Sequence, residues 1–191
     1  MGHGVSDLYD YLDTVQRLIV EAHERLLLCV YTFDDGMTTH RIAEAAARGV
    51  LVRVLYDAVQ ARACGGERGA KHEDAIRILL QAGVEVYTYK HSAEEDTPKA
   101  ENTFSPQLHA KLIVSDHRAL VGSKNLTRNG ADYRDAGMLT SDSHAVKRAL
   151  KLWKEYACES SCDELVSRGL ARYFDPRINV HYVRNIAPPR P

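Results

Sequence analysis

At 191 residues the chain is long enough for one domain with a sizeable core but short for two ordinary domains, and its 45% hydrophobic and 27% charged residues exclude a disordered or fibrous protein. Twenty-five Lys and Arg against twenty-six Asp and Glu leave a formal charge of −1, which argues against a protein that coats nucleic acid unspecifically while permitting a local basic cleft. Cys29, Cys64, Cys158 and Cys162 form no CxxC pair and no zinc-ribbon spacing, so neither a disulfide framework nor a structural zinc site is expected, and free thiols point to a reducing compartment.

The opening MGHGVSDLYDYLD is polar and acidic where a signal peptide needs a basic start and an apolar run. The longest apolar run, Leu26 to Val30, is far below the roughly 20 residues that span a bilayer. A soluble, cytoplasmic chain without a transmembrane segment is the expectation.

Ser6 is a candidate N-cap for a first amphipathic helix, with Leu8, Tyr11, Leu12, Val15, Leu18, Ile19 and Ala22 spaced by three and four. LLLCVYTF at 26–33 is a continuous apolar and aromatic run bounded by Asp34, Asp35 and Gly36, which suits a strand covered on both faces. THRIAEAAARG reads as a helix closed by Gly49, and VLVRVLYD at 50–57 as the next strand. The Gly-rich stretch Cys64–Gly69 reads as a loop before a helix over 70–82, ended by Gly83, and VEVYTYK as a third strand.

From His91 to Pro106 the chain is polar, acidic and without periodicity, the composition of a mobile surface loop. LHAKLIVSD and RALVG follow as hairpin strands joined at Asp116–His117, then SKNLTRNGAD as a loop and DAGMLTS as a strand. A helix is expected over 142–158, a shorter one over 162–172, and a frayed Pro-rich end at 188–191. Strands alternating with helices predict an α/β fold: a mixed, largely parallel sheet flanked by helices on both faces. Residues 1–172 are read as one catalytic domain and 173–191 as a partly irregular extension.

Within the strand LHAKLIVSD, His109 and Lys111 are two apart, so their side chains leave one face while Ala110 and Leu112 leave the other. An imidazole thus stands beside an ammonium. Eleven positions past Lys111 begins Gly122-Ser123-Lys124-Asn125, where the glycine lets the backbone turn closely and Ser123 and Asn125 offer hydrogen-bond donors for phosphate oxygens.

His109-Ala-Lys111-Leu-Ile-Val-Ser-Asp116, followed by Gly122-Ser123-Lys124-Asn125, resembles the signature of the phospholipase D superfamily, the HKD motif. Over roughly residues 7–158 the order of elements, with the YTF strand, the Ala-rich helix closing in RGV and the strand ending at Asp57, is similar to that of the small nuclease members. The resemblance implies that His109 attacks phosphorus to give a covalent phosphohistidine, that a second motif's histidine protonates the leaving oxygen, and that neither a metal nor another cofactor is needed. It also implies that Lys111, Ser123 and Asn125 bind the phosphoryl oxygens.

Asp116 belongs to the motif as a candidate site residue, although support of the local fold suits it better than chemistry. The family's histidine-orienting glutamate matches Asp135 here, a shorter carboxylate, with Asp132 as the fallback. No other histidine has a lysine two positions later, so the chain holds half a site. A two-fold homodimer with the active site at its interface would supply both histidines.

Gly122, Lys124 and Arg128 are candidates for lining a substrate groove, though Lys124 and Arg128 would equally serve as solvated charges. Tyr56, Tyr87 and Tyr89 fit strand packing better than a base-stacking platform. His117 reads as an exposed turn residue, and His72 and His91 would reach the pocket only if their loops folded over it. The leading expectation is therefore a metal-independent nuclease acting on DNA or RNA. Alternatives are a lipid hydrolase acting on cardiolipin or phosphatidyl head groups, and a phosphate-binding or dimerisation module weakened by Asp135.

Overall fold

The computed structural model describes residues 11–57, 66–89, 108–127 and 137–158, with the backbone of 173–175 and 180–182. The expected helix over 162–172, the acidic stretch 91–106, and the candidates Arg128, Asp132 and Asp135 lie outside the described residues.

Helix α1 (Tyr11–Val20) buries Tyr11, Val15, Leu18 and Ile19, the stripe its spacing predicts. Strand β1 (Arg25–Val30) leads to α2 (Gly36–Ala47), whose first turn is capped by Asp35: its carboxylate accepts from the N–H and the hydroxyl of Thr38. Strand β2 (Leu51–Tyr56), α3 (Gly66–Gln81) and β3 (Glu85–Thr88) complete two crossovers. The hairpin β4 (Leu112–Ser115) and β5 (Arg118–Gly122) is followed by β6 (Gly137–Thr140) and α4 (Ser143–Cys158). A separate ribbon pairs β7 (Tyr173–Asp175) with β8 (Val180–Tyr182).

Among the boundaries that differ from the sequence reading are two in the first half of the chain. Helix α3 begins at Gly66, so the glycine-rich stretch read as loop is already helical there. The strand read as 26–33 leaves the ladder after Val30, and Phe33 forms only an isolated bridge with Leu126.

The main sheet has the order β3-β2-β1-β4-β5-β6. β1/β2 and β2/β3 pair in parallel, whereas β1/β4, β4/β5 and β5/β6 are antiparallel. The sheet is mixed as expected, but its balance tips to antiparallel because β4 runs against β1, and β5 and β6 continue the alternation. The alternation of β1 divides the core: Leu26, Leu28 and Val30 join the cluster under α1, α2 and α3, while Leu27 and Cys29 join the one under α4. Trp153 of α4 fixes the second layer by donating from Nε1 to the Leu28 carbonyl at 3.0 Å. Helices thus cover both faces.

This topology brings one set of strand ends to one rim of the sheet. β1, β2, β3 and β5 finish there, and β4 and β6 begin there. In open α/β sheets the loops beyond such strand ends are where ligands are bound.

Candidate active site

His109 and Lys111 lie on that rim, immediately before β4 rather than within it as the sequence suggested. Their alternation survives outside the ladder. Leu108, Ala110, Leu112 and Val114 contribute to the core under α4, and Ile113 to the opposite one. The Gly122 N–H donates to the Lys111 carbonyl at 3.1 Å, continuing the Leu112–Val121 pairing and setting Ser123 beside the His109–Lys111 segment. The N–H groups of Asp34 and Asp35 donate to the Leu126 carbonyl, which draws the exit of β1 against Asn125 and Leu126. Three segments far apart in sequence thereby meet at one place.

His109 is exposed, while Lys111 is only 5% exposed. The Lys111 ammonium donates to the His109 carbonyl at 2.8 Å and lies 5.0 Å from the centre of the Tyr31 ring. Tyr31 also meets the His109 imidazole edge to face, with centroids 4.8 Å apart. Partial desolvation, and secondarily the charge of Lys111, lower the His109 pKa from its ordinary 6.5. Both favour the neutral imidazole, the form that can act as a nucleophile.

Cys29, a rival nucleophile by type, is excluded by its surroundings. Its thiol is buried, and desolvation raises its pKa to about 12 against the opposing pull of Lys111.

Ser123 is exposed on the rim and Asn125 is half-buried. The amide oxygen of Asn125 is buried and accepts no hydrogen bond among the described residues. Lys124, between them, is 5% exposed and is therefore not a solvated charge.

Gly122 has a different reason for being glycine from the tight turn that the sequence suggested. It lies in β5 with no positive φ, and a Cβ there would stand 2.5 Å from the Tyr11 ring. Gly137 is its cross-strand partner and faces the same ring. The two glycines make room for Tyr11, which packs over the β5–β6 pair next to Ser123.

Asp116 stands at the opposite end of β4 and does not join the site. It occupies the left-handed region (φ 50°), and its carboxylate accepts the N–H groups of His23, Glu24 and Arg25, each at 3.0 Å. Arg25 Nη2 in turn donates to the Asp116 carbonyl at 2.9 Å. The motif aspartate therefore fastens the β4–β5 turn to the entry of β1, which corrects its inclusion among the candidate catalytic residues.

Asp57 was singled out in the sequence only as a strand end, yet it is wholly buried and its carboxylate accepts the Leu108 N–H at 3.0 Å. A lone carboxylate closing an apolar strand was the available signal. Tyr31, in the YTF run, carried no such signal.

The remaining aromatic and histidine candidates take structural places. Tyr56 and Tyr87 are buried, Tyr87 packs against Trp153, and Tyr89 is half-buried on the same core, as strand packing requires. His117 is an exposed turn residue. His72 is buried in α3, its Nδ1 lies 2.6 Å from the Phe33 carbonyl, and desolvation lowers its pKa, so it braces the exit of β1 rather than meeting substrate. A cleft of about 430 Å³ between α2 and α3 is lined by Asp34, Asp35, Lys71 and Asp74, excludes His109, and is too acidic to suit a phosphate.

The family pattern described as "Cardiolipin synthase, PLD-like domain" matches residues 15–157. The chain belongs to the phospholipase D superfamily, members of which are phosphodiester hydrolases. Among curated proteins it is 28% identical over 145 residues to the mitochondrial cardiolipin hydrolase of Xenopus tropicalis, over 73% of this chain and 59% of that protein. The chain thus spans a little over half the length of that relative.

Among solved structures, NucT from Helicobacter pylori superimposes with a TM-score of 0.67 at 17% identity, covering 85% of this chain and 98% of NucT. Nuc from Salmonella typhimurium, a phospholipase D family member, does so with a TM-score of 0.63 at 19% identity, covering 84% and 95%. These two likenesses are of fold.

Proposed function

We propose that this protein is a metal-independent phosphodiesterase that cleaves nucleic acid through a covalent intermediate on His109 and works as a two-fold homodimer. The observation that carries the reading is the placement of the His109 imidazole, a buried ammonium, Ser123 and Asn125 on one rim of the sheet. In the first step an imidazole nitrogen of His109 attacks phosphorus. The bond to the leaving oxygen breaks, and a second imidazole, protonated beforehand, gives that oxygen its proton and becomes neutral. In the second step water attacks phosphorus, the P–N bond breaks, and the water proton passes to the second imidazole. Lys111 offsets the charge on the phosphoryl oxygens, and Ser123 and Asn125 donate to them. Asp135 is the candidate to orient the imidazole, and Lys124, Arg128 and the Gly122 backbone the candidates to line the groove.

The second imidazole is assigned to His109 of the partner subunit, because the sequence carries a single His-x-Lys. The fold shared with NucT and Nuc, each matched over nearly its whole length, supports the nuclease reading. Hydrolysis of cardiolipin or a related lipid is the second reading, favoured by the cardiolipin hydrolase relative and the family description. Among the described residues no helix is long and apolar enough to cross a membrane.

The test is a screen in EDTA of single- and double-stranded DNA, RNA and cardiolipin vesicles, with wild type beside His109→Ala. Nucleic-acid cleavage that His109→Ala abolishes is expected. Lipid turnover alone would select the second reading, and strict dependence on added divalent metal would overturn the mechanism.

A further inference from the structure

Among the described residues, little holds the His109 imidazole. It precedes β4, outside the ladder, and its side chain is exposed. Among the described residues no hydrogen bond reaches either of its ring nitrogens, and the Lys111 bond to the His109 carbonyl fixes the backbone, not the ring. A nucleophile needs its attacking nitrogen aimed, since misplacement by an ångström costs rate steeply. Among the described residues, the aromatic group that meets the ring is Tyr31, at the exit of β1.

We propose that Tyr31 is a positioning residue whose one aromatic ring sets both the His109 imidazole and the Lys111 ammonium. The imidazole lies 4.8 Å away with an interplanar angle of 65°, within the range of favourable edge-to-face pairs. The ammonium lies 5.0 Å from the centroid, within reach of the electron-rich ring face. Burial of Lys111 keeps water from screening that attraction. Nucleophile and phosphate ligand therefore share one support, itself anchored because the Asp34 N–H, three residues on, donates to the Leu126 carbonyl.

This inference rests on the phosphodiesterase reading, so the test has one arm that needs no turnover. In the first arm, NMR of the resting protein reads the ring-current shift that Tyr31 imposes on the His109 protons. The shift is expected in wild type and Tyr31→Phe and lost in Tyr31→Leu. In the second arm, hydrolysis is followed on whichever diester the wild type cleaves. Tyr31→Phe should stay within about twofold of wild-type kcat, and Tyr31→Leu should lose about 10- to 100-fold in kcat with KM nearly unchanged.

Pentafluorophenylalanine at position 31 keeps the ring's size and reverses its face charge. It should lower kcat even if Tyr31→Leu fails to fold. Wild-type kcat in Tyr31→Leu, equal losses in the Phe and Leu variants, or no ring-current shift in wild type would overturn the proposal. A wild type that cleaves no diester while the ring-current shift is present would overturn the underlying reading instead.

Discussion

The carboxylate of Asp57 accepts the backbone N–H of Leu108 at 3.0 Å, so the end of β2 holds the residue that precedes His109. The two partners are 51 positions apart and both are buried. Replacing Asp57 with Ala strands a buried N–H, which costs about 1–3 kcal/mol. It should also lower kcat beyond what unfolding explains, because the His109 segment loses its tether. Asp57→Asn keeps an acceptor oxygen and should recover most of both losses. Denaturant unfolding and turnover, both read well below the melting temperature, check this; a variant of unchanged stability and rate would show the tether to be idle.

The ionisation of His109 gives a prediction with a definite sign. Burial first, and Lys111 second, lower its pKa, so the neutral nucleophile persists below the usual pH 6.5 and is lost as pH falls through the depressed value. The acid limb of kcat/KM and the NMR titration of the resting imidazole should both lie below 6.5. Lys111→Met removes the second cause and should move the titration upward. A midpoint at or above 6.5 in wild type contradicts the lowering by desolvation and Lys111.

Asp116 should matter to stability and not to chemistry. Burial, the largest single influence, raises its pKa, but the N–H groups of Arg25, Glu24 and His23 together outweigh it and leave the carboxyl below 3.8. A depressed carboxylate stabilises fully above its unfolded value, and that contribution is lost as pH falls through the folded one. Asp116→Ala should cost about 2 kcal/mol at pH 7, while Asp116→Asn should flatten the fall of stability below pH 4. Activity per folded molecule should be unchanged. A hundredfold loss of kcat in a stable variant would restore Asp116 to the chemistry.

Gly122 and Tyr11 should behave as one unit. Gly122→Ala forces a methyl into the Tyr11 ring and should destabilise by about 1–3 kcal/mol. Combined with Tyr11→Ala, the loss should fall short of the sum of the single variants by at least about 0.5 kcal/mol. Strict additivity in urea unfolding would mean that the ring yields and the glycine serves another purpose.

What could be read from the sequence was local. Spacing along Val15, Leu18 and Ile19 predicted α1, the apolar run at 26–33 predicted β1, and Gly49 and Gly83 marked helix ends, because each signal lies within a few residues of the element it defines. The spacing of His109 and Lys111 was readable for the same reason, whereas the turn expected at Gly122 is instead the end of β5. Asp57 with Leu108, Tyr31 with His109 and Tyr11 with Gly122 were not readable, since each joins segments brought together only by the crossovers of the sheet. No periodicity reports such a contact. The strand end at Val30 was overrun because Tyr31 and Phe33 are apolar enough to continue a strand but are held by Leu126 and the motif residues instead.

The central claim is that His109 carries the substrate's phosphorus between two steps. Rapid alkaline quenching of turnover in EDTA, followed by intact-mass measurement and peptide mapping, tests it directly, since a phosphohistidine survives base. An adduct of the phosphoryl group and its retained ester is expected on His109 and absent from His109→Ala, which should not turn over. Steady hydrolysis by His109→Ala, or an adduct mapped to another residue, would contradict it.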